Sequence, residues 1–244
     1  MKSKQSVYIA SRKAGPLKEA ADELTKMGPG VCYPIVADLG SKAGCDHLAE
    51  EIKKRESKIH VLVNNSGMSW GAPLFDFPEK EGWDRLLALN VKSLFYTSVA
   101  LFPLLNKDAT NTDPGRIINI ASVAAISPAA EGGLSAKGSG TYSYQPSKAA
   151  AAHLTRVLAN TWNSKNVTVN AVLPGVFESR MTQYGLKNHA NELNSRQPTG
   201  RIGDTEDMAG IALFLASRGS AHITGVCIPI DGGASLASSG TSKI

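Results

Sequence analysis

Cysteine is scarce: Cys32, Cys45 and Cys227 are the only three in 244 residues. They are too few and too scattered for a disulfide framework or a metal site, and this usage suits a reducing, cytoplasmic compartment. No run approaches the roughly eighteen consecutive apolar residues of a membrane span. The opening stretch MKSKQSVYIAS is partly basic but has no apolar core or cleavage pattern, which argues against secretion. Aromatic residues are 6% of the chain, and the Lys and Arg residues behind its net charge of +5 are spread among helical patterns. Without an aromatic-interleaved basic stripe, nucleic acid is not the expected partner. A modest positive field does attract a phosphorylated small molecule.

What is there reads as one α/β domain, with a hydrophobic fraction of 42% and a charged fraction of 19% typical of globular proteins. Short β-branched runs at Ser6–Ala10, Val31–Val36, Ile59–Val63, Arg116–Ala121, Val167–Leu173 and Val226–Ile230 read as strands. Between them lie helical patterns. Pro16 opens one that runs through Lys26, a second covers Ser41–Arg55, and a third, Trp83–Leu105, carries Leu87, Val91, Leu94, Ser98 and Phe102 on one face. Tyr144–Asn163 is an Ala-rich fourth, and Asp204 caps a fifth that ends near Ser217. Strands separated by helices of this length predict a parallel, doubly wound sheet with helices on both faces.

The sharpest local feature is Tyr144-Gln-Pro-Ser-Lys148. A spacing of four puts phenol and ammonium one helical turn apart on one face. An ammonium there is expected to lower the phenol pKa toward neutrality, making Tyr144 a proton donor or acceptor near pH 7. Ser122 follows the strand Arg116–Ala121, at the carboxyl edge of the expected sheet, where a hydroxyl can hydrogen-bond a substrate carbonyl. Asn90 is a polar amide inside an apolar helix and needs a partner.

Taken in order, Asp38-Leu39, Asn64-Asn65-Ser66-Gly67, Asn90, Ser122, Tyr144 with Lys148, Pro174-Gly175 with Ser179, and Asp231-Gly232-Gly233 resemble the short-chain dehydrogenase/reductase family over essentially the whole chain. The overall look is similar to 3-oxoacyl-carrier-protein reductases, including a rhamnolipid-associated branch. The resemblance implies that Tyr144 is the acid/base, that Lys148 lowers its pKa and holds the nicotinamide ribose, that Ser122 polarises the carbonyl and that Asn90 supports a proton relay. Asp38 and Leu39 would contact adenine, Asn65 and Gly67 would line the adenosine side, and Pro174, Gly175 and Ser179 would flank the nicotinamide. The substrate implied is a small carbonyl/alcohol pair and the assembly a homodimer or homotetramer, with no nucleic acid and no membrane involved. After the first strand comes Ser11-Arg12-Lys13, with no carboxylate to hold ribose hydroxyls; a hydroxyl and a guanidinium suit a 2′-phosphate, so NADP(H) is the expected cofactor.

Two departures stand out. Tyr144 follows Ser122 by 22 positions, more than the family usually has, and the extra stretch Pro128–Gly140 reads as a flexible loop beside the substrate. The second is at the start, where the family has a strand and a Thr-Gly-x-x-x-Gly-x-Gly turn that holds a pyrophosphate. The chain begins where the family's second strand begins, so the expected Rossmann-like fold lacks its first strand, Gly-rich turn and first helix, on the order of 30 residues. The strand would lie between Ser6–Ala10 and Ile59–Val63. Unpaired buried groups at about 1–3 kcal/mol each would weigh against a typical stability of about 5–15 kcal/mol. A truncated gene model or alternative-start product is therefore expected, one domain over 1–244 with a flexible tail at 234–244.

Besides the reductase, two readings stay open: a cofactor-deficient, non-catalytic homologue that acts as an oligomerising or regulatory protein, and a Ser–Lys hydrolase using Ser122, which lacks a nucleophile-elbow context. The last residues, Thr241-Ser242-Lys243-Ile244, come close to a Ser-Lys-Leu peroxisomal address.

Overall fold

The computed structural model describes residues 6–132, 134–195 and 197–237. The peroxisome-like C-terminus and most of the expected tail lie outside the described residues. The chain runs β1 (Ser6–Ser11), α1 (Ala14–Met27), β2 (Val31–Val36), α2 (Lys42–Lys53), β3 (Val61–Asn64), a long helix α3 (Glu79–Asn106), β4 (Gly115–Ile120), α4 (Tyr144–Trp162), β5 (Val167–Pro174), α5 (Gln183–Ser195), α6 (Thr205–Ala216) and β6 (Cys227–Ile230).

All strand pairs are parallel. They form two separate ladders, β1-β2 and β3-β4-β5-β6, and β1 and β3 share no ladder. Helices cover both faces, as the alternation along β4 makes plain. Ile117 packs with Leu158, Trp162 and Phe102 of α4 and α3, whereas Ile118 packs with Leu215 and Met208 of α6. Val167 through Leu173 of β5 are all buried, Thr168 and Asn170 included, as in a strand covered on both faces. On the β1–β3 side, α2 closes over Ile35 and Ala37 with Leu48, Ala49 and Ile52. Val7, Val36 and Val63 stay about half exposed.

Local chemistry fixes the helix starts. Ser41 Oγ accepts from Gly44 N at 3.1 Å, and Asp204 Oδ1 accepts from the amides of Glu206 and Asp207 at 3.0 Å each. Asp207 returns the favour to Asp204 N at 2.9 Å, completing a capping box.

Two expectations need correction, and one helix went unread. The long helix starts at Glu79, earlier than Trp83, and includes two π segments, Glu79–Asp84 and Ala88–Lys92. Its buried stripe includes Leu86, Asn90, Leu94, Thr97, Ser98, Leu101 and Leu105, so Leu94 and Ser98 lie in it as expected while Leu87, Val91 and Phe102 sit at its margin. This helix is long and apolar enough to cross a membrane by length and composition. Here that apolarity serves the sheet, because Leu105 and Leu101 pack into two core clusters. Helix α5 was not legible at all: its pattern is broken by Gly185 and by a kink at His189.

Candidate active site

Loops at the carboxyl ends of the strands carry the candidate residues. At the β1-β2 edge, Ala37 N donates to Ser11 O at 3.1 Å and carries the ladder to the neighbourhood of Asp38. Asp38 Oδ1 accepts from Gly40 N at 3.0 Å. Ser11 and Arg12 are exposed, and Arg12 has no ion pair among the described residues. Leu39 is half-buried against the α2 core. Asn65 and Gly67 are exposed in the loop after β3.

Asn90 lies in the second π segment, 1% exposed. Its Oδ1 accepts from Met68 N at 2.8 Å, while its Nδ2 donates to Met68 O at 2.8 Å and Ser147 Oγ at 3.0 Å. Ser147 Oγ in turn donates to Tyr144 O at 2.7 Å. One amide therefore fixes both the loop after β3 and the first turn of α4. A π-bulge is a recurrent device for aiming a side chain in this way.

Ser122 sits at the turn into a short 3-10 segment, Val123–Ala125. Its Oγ accepts from Ala124 N at 3.1 Å and reaches Pro174 O at 3.5 Å. Its hydroxyl also acts on the Tyr144 phenol, favouring the ionised form. Lys148 Nζ lies 5.6 Å from the centroid of the Tyr144 ring and donates to Ile120 O at 3.0 Å. A Cβ placed on Gly67 would come within 3.4 Å of both Lys148 Nζ and Asn90 Oδ1. The structure thus brings Gly67, Asn90, Ser122, Tyr144, Lys148 and Pro174 together. Gly175 packs so tightly on Asp231 that a Cβ would stand 2.7 Å from its Cβ. Ser179 lies farther along in an exposed turn, its Oγ 3.0 Å from Thr182 Oγ1. No hydrogen bond joins Ser122 to Lys148 among the described residues, so a Ser–Lys dyad is not formed.

The electrostatics correct the expected lowering of the phenol. Burial pushes the Tyr144 phenol above its ordinary value, with the Ser122 hydroxyl opposing it. Burial also drags the Lys148 ammonium down to about 8. Lys148 is 5% exposed, yet Ile120 O is its one hydrogen-bond acceptor among the described residues. A buried ammonium with N–H groups to spare, beside a glycine that leaves room, fits a ligand rich in hydroxyls. No glycine-rich turn able to hold a pyrophosphate lies among the described residues.

Asn64 was already noted in the sequence, but Asn119, its partner, and Thr155, the partner of Asn119, escaped the sequence reading. Asn64 Nδ2 donates to Ser98 Oγ at 3.0 Å and Asn119 Oδ1 at 2.9 Å, and Asn119 Nδ2 donates to Thr155 Oγ1 at 2.9 Å. This buried polar chain ties α3, β3, β4 and α4 beneath the site. Polar residues at positions 64 and 119 in otherwise apolar strands were the signal. Ser147 was visible as the polar residue between Tyr144 and Lys148.

A parallel α/β sheet with a tyrosine, serine, lysine and asparagine gathered at its carboxyl edge defines an oxidoreductase of Rossmann type. A family model described as enoyl-(acyl carrier protein) reductase matches residues 2–235. The rhamnolipids biosynthesis 3-oxoacyl-[acyl-carrier-protein] reductase of Pseudomonas aeruginosa is 41% identical over 229 residues, covering 93% of this chain and 85% of that protein. The 2-dehydro-3-deoxy-D-gluconate 5-dehydrogenase of Dickeya dadantii is 34% identical over 218 residues, covering 88% and 81%. Among solved structures, the Pseudomonas aeruginosa RhlG/NADP active-site complex superposes with a TM-score of 0.85 at 40% identity, covering 94% of this chain and 86% of that one. The chain belongs to the short-chain dehydrogenase/reductase family, in the branch similar to 3-oxoacyl-carrier-protein reductases.

Proposed function

We propose that this protein interconverts a carbonyl compound and a secondary alcohol with NADP(H). The observation that carries the reading is the juxtaposition at one sheet edge of the Tyr144 phenol, influenced by the Ser122 hydroxyl, and a buried Lys148 ammonium one turn along the helix, 5.6 Å from the Tyr144 ring. The complex of a similar protein with NADP supports the choice of cofactor, as do the exposed Ser11 and Arg12 where a ribose-holding carboxylate would otherwise stand. Ser11 and Arg12 would hold the 2′-phosphate, Asp38, Leu39, Asn65 and Gly67 the adenosine side, and Lys148 the nicotinamide ribose. Pro174, Gly175 and Ser179 would flank the nicotinamide.

When bound, the reduced nicotinamide supplies a hydride to the carbonyl carbon. The chain does the rest. Ser122 Oγ hydrogen-bonds the carbonyl oxygen and stabilises the negative charge that builds there. Tyr144 gives that oxygen its phenolic proton, so the carbonyl gains a hydride and a proton and leaves as an alcohol. A phenol kept protonated by burial is the correct resting state for a proton donor. The Lys148 ammonium, charged below about pH 8, offsets the charge on the phenolate left behind. Asn90 holds the loop after β3 against α4; both of its amide protons are engaged and Oδ1 already accepts from Met68 N, which leaves a second lone pair on Oδ1 as its capacity toward a relayed proton.

Exposed Phe95 and Val99 on α3 and Val157 on α4 support association into dimers or tetramers. The test of the reaction is isotopic. Incubation with NADPH deuterated at both C4 positions and a prochiral ketone should place deuterium on the carbinol carbon. An alcohol without the label, or no alcohol, overturns the reading.

A further inference from the structure

Helix α4 begins at Tyr144, and its start is held in an unusual way. Ser143 stands just before it, where a serine side chain commonly accepts from an N–H of the first turn. Here it makes no such bond. Its backbone is helical (φ −90°, ψ −21°), and its buried Oγ has no hydrogen-bond partner among the described residues. The first turn, whose leading N–H groups lack partners within the helix, is anchored from elsewhere.

Thr141 is that anchor. Its carbonyl accepts from Tyr144 N at 2.9 Å, and its own N donates to Ala130 O at 2.8 Å. Its Oγ1 lies 3.2 Å from the same Ala130 carbonyl and accepts from Gln145 Nε2 at 3.0 Å. Gln145 Nε2 also donates to Ala129 O at 2.7 Å. One threonine thus joins the extra stretch after Ser122 to Tyr144 and to the residue that follows it.

The same brace reaches the other wall of the site. Gly140 exchanges two backbone hydrogen bonds with Ala72, at 3.2 and 2.9 Å, in the loop that Asn90 clamps at Met68. A Cβ on Gly140 would stand 2.5 Å from the Tyr142 ring, so that ring fills the space a side chain would need. The ring meets Phe77 edge-on at 5.6 Å between centroids, and Tyr142 OH donates to Glu131. The Thr141 contacts are with backbone and with Gln145, so its influence on proton transfer passes through the placement of Tyr144. Such placement matters, because an error of about 1 Å in a reacting group can cost about 10²-fold in rate.

We propose that Thr141 is a positioning residue for the Tyr144 phenol, its hydroxyl locking the extra stretch against the first turn of α4. Without that hydroxyl, Ala130 and Gln145 lose their shared side-chain partner, and the carbonyl that holds Tyr144 N is free to shift with the stretch. The inference rests on the reductase reading and adds a residue that does not touch the reacting atoms.

The experiment follows NADPH-dependent reduction of a ketone in H₂O and in D₂O by wild type, Thr141→Val and Thr141→Ser. Valine keeps the size and branching of threonine and removes the hydroxyl; serine keeps the hydroxyl. Thermal melts and NADPH titration report folding and cofactor binding separately. Thr141→Val should lower kcat by about 10- to 100-fold, with KM for the ketone and NADPH affinity unchanged. Its solvent isotope effect on kcat should rise, because a misplaced phenol makes proton transfer the slower step. Thr141→Ser should restore both quantities. Wild-type kcat in folded Thr141→Val overturns the inference. So does a loss of kcat that serine fails to restore, or one with an unchanged solvent isotope effect, since either assigns the loss to structure alone. Should Thr141→Val fail to fold, Gln145→Leu breaks the same lock from its other side and is judged by the same kcat and isotope criteria. A wild type without NADPH-dependent turnover overturns the reductase reading itself, whereas an active wild type matched by Thr141→Val overturns this inference alone.

Discussion

Asn90 Nδ2 donates to Ser147 Oγ at 3.0 Å, so an amide in the π segment of α3 holds the first turn of α4 from behind. Because the same amide clasps both backbone groups of Met68, its removal strands one N–H and one C=O in a largely buried place and takes away the donor to Ser147 Oγ. Asn90→Ala should cost about 2–3 kcal/mol, as unpaired buried groups do. Urea titration checks this, and a loss under half a kcal/mol would show the clamp to be dispensable.

Lys148 gives a pH test. Its folded value is about 8 against an ordinary 10.5, with burial the cause. A lysine lowered in the folded state binds fewer protons there than in the unfolded chain between about pH 8 and 10.5. Stability should therefore rise across that window as the desolvation cost of the charge is relieved, by up to about 3 kcal/mol. Lys148→Met should be the more stable protein at pH 7 and should lack that rise. Parallel denaturation curves for the two proteins between pH 7 and 10.5 would contradict the burial of the charge.

On the proposed reading, Arg12 sets the choice of dinucleotide. Arg12→Ala should weaken NADPH binding by about 10- to 100-fold, the worth of a charged hydrogen bond of about 1.5–3 kcal/mol, and leave NADH nearly unaffected. Fluorescence titration with both nucleotides measures this. Equal losses would remove the 2′-phosphate contact.

Beneath the site, Asn119 links Asn64 to Thr155. Asn119→Leu keeps the volume but leaves partners of the chain unpaired, so about 2–4 kcal/mol of stability should be lost despite the more apolar side chain. Chemical denaturation that finds the variant as stable as the wild type would show that the chain adds nothing.

Much of the architecture was legible because periodicity and caps agree. Val31–Val36 has the expected bounds, and Asp204 opens its helix through a capping box that the first-turn carboxylates announce. Tyr144 and Lys148 were readable as a pair because helical spacing alone puts them on one face. The sign of the Tyr144 shift was not, because it depends on how deeply the fold buries the ring. Helix α5 escaped because Gly185 and the kink at His189 blur its stripe. Composition made the stretch after Ser122 look loose. Gln145 and Thr141, residues that reach back to backbone carbonyls, fasten it instead.

The central claim is tested most directly by steady-state reduction of a ketone by wild-type and Tyr144→Phe protein, with NADPH binding measured alongside. The variant loses one oxygen and little else, so NADPH affinity should be retained while kcat falls by about 10²–10⁴-fold. A Tyr144→Phe protein that binds NADPH and reduces the ketone at the wild-type rate would contradict the account.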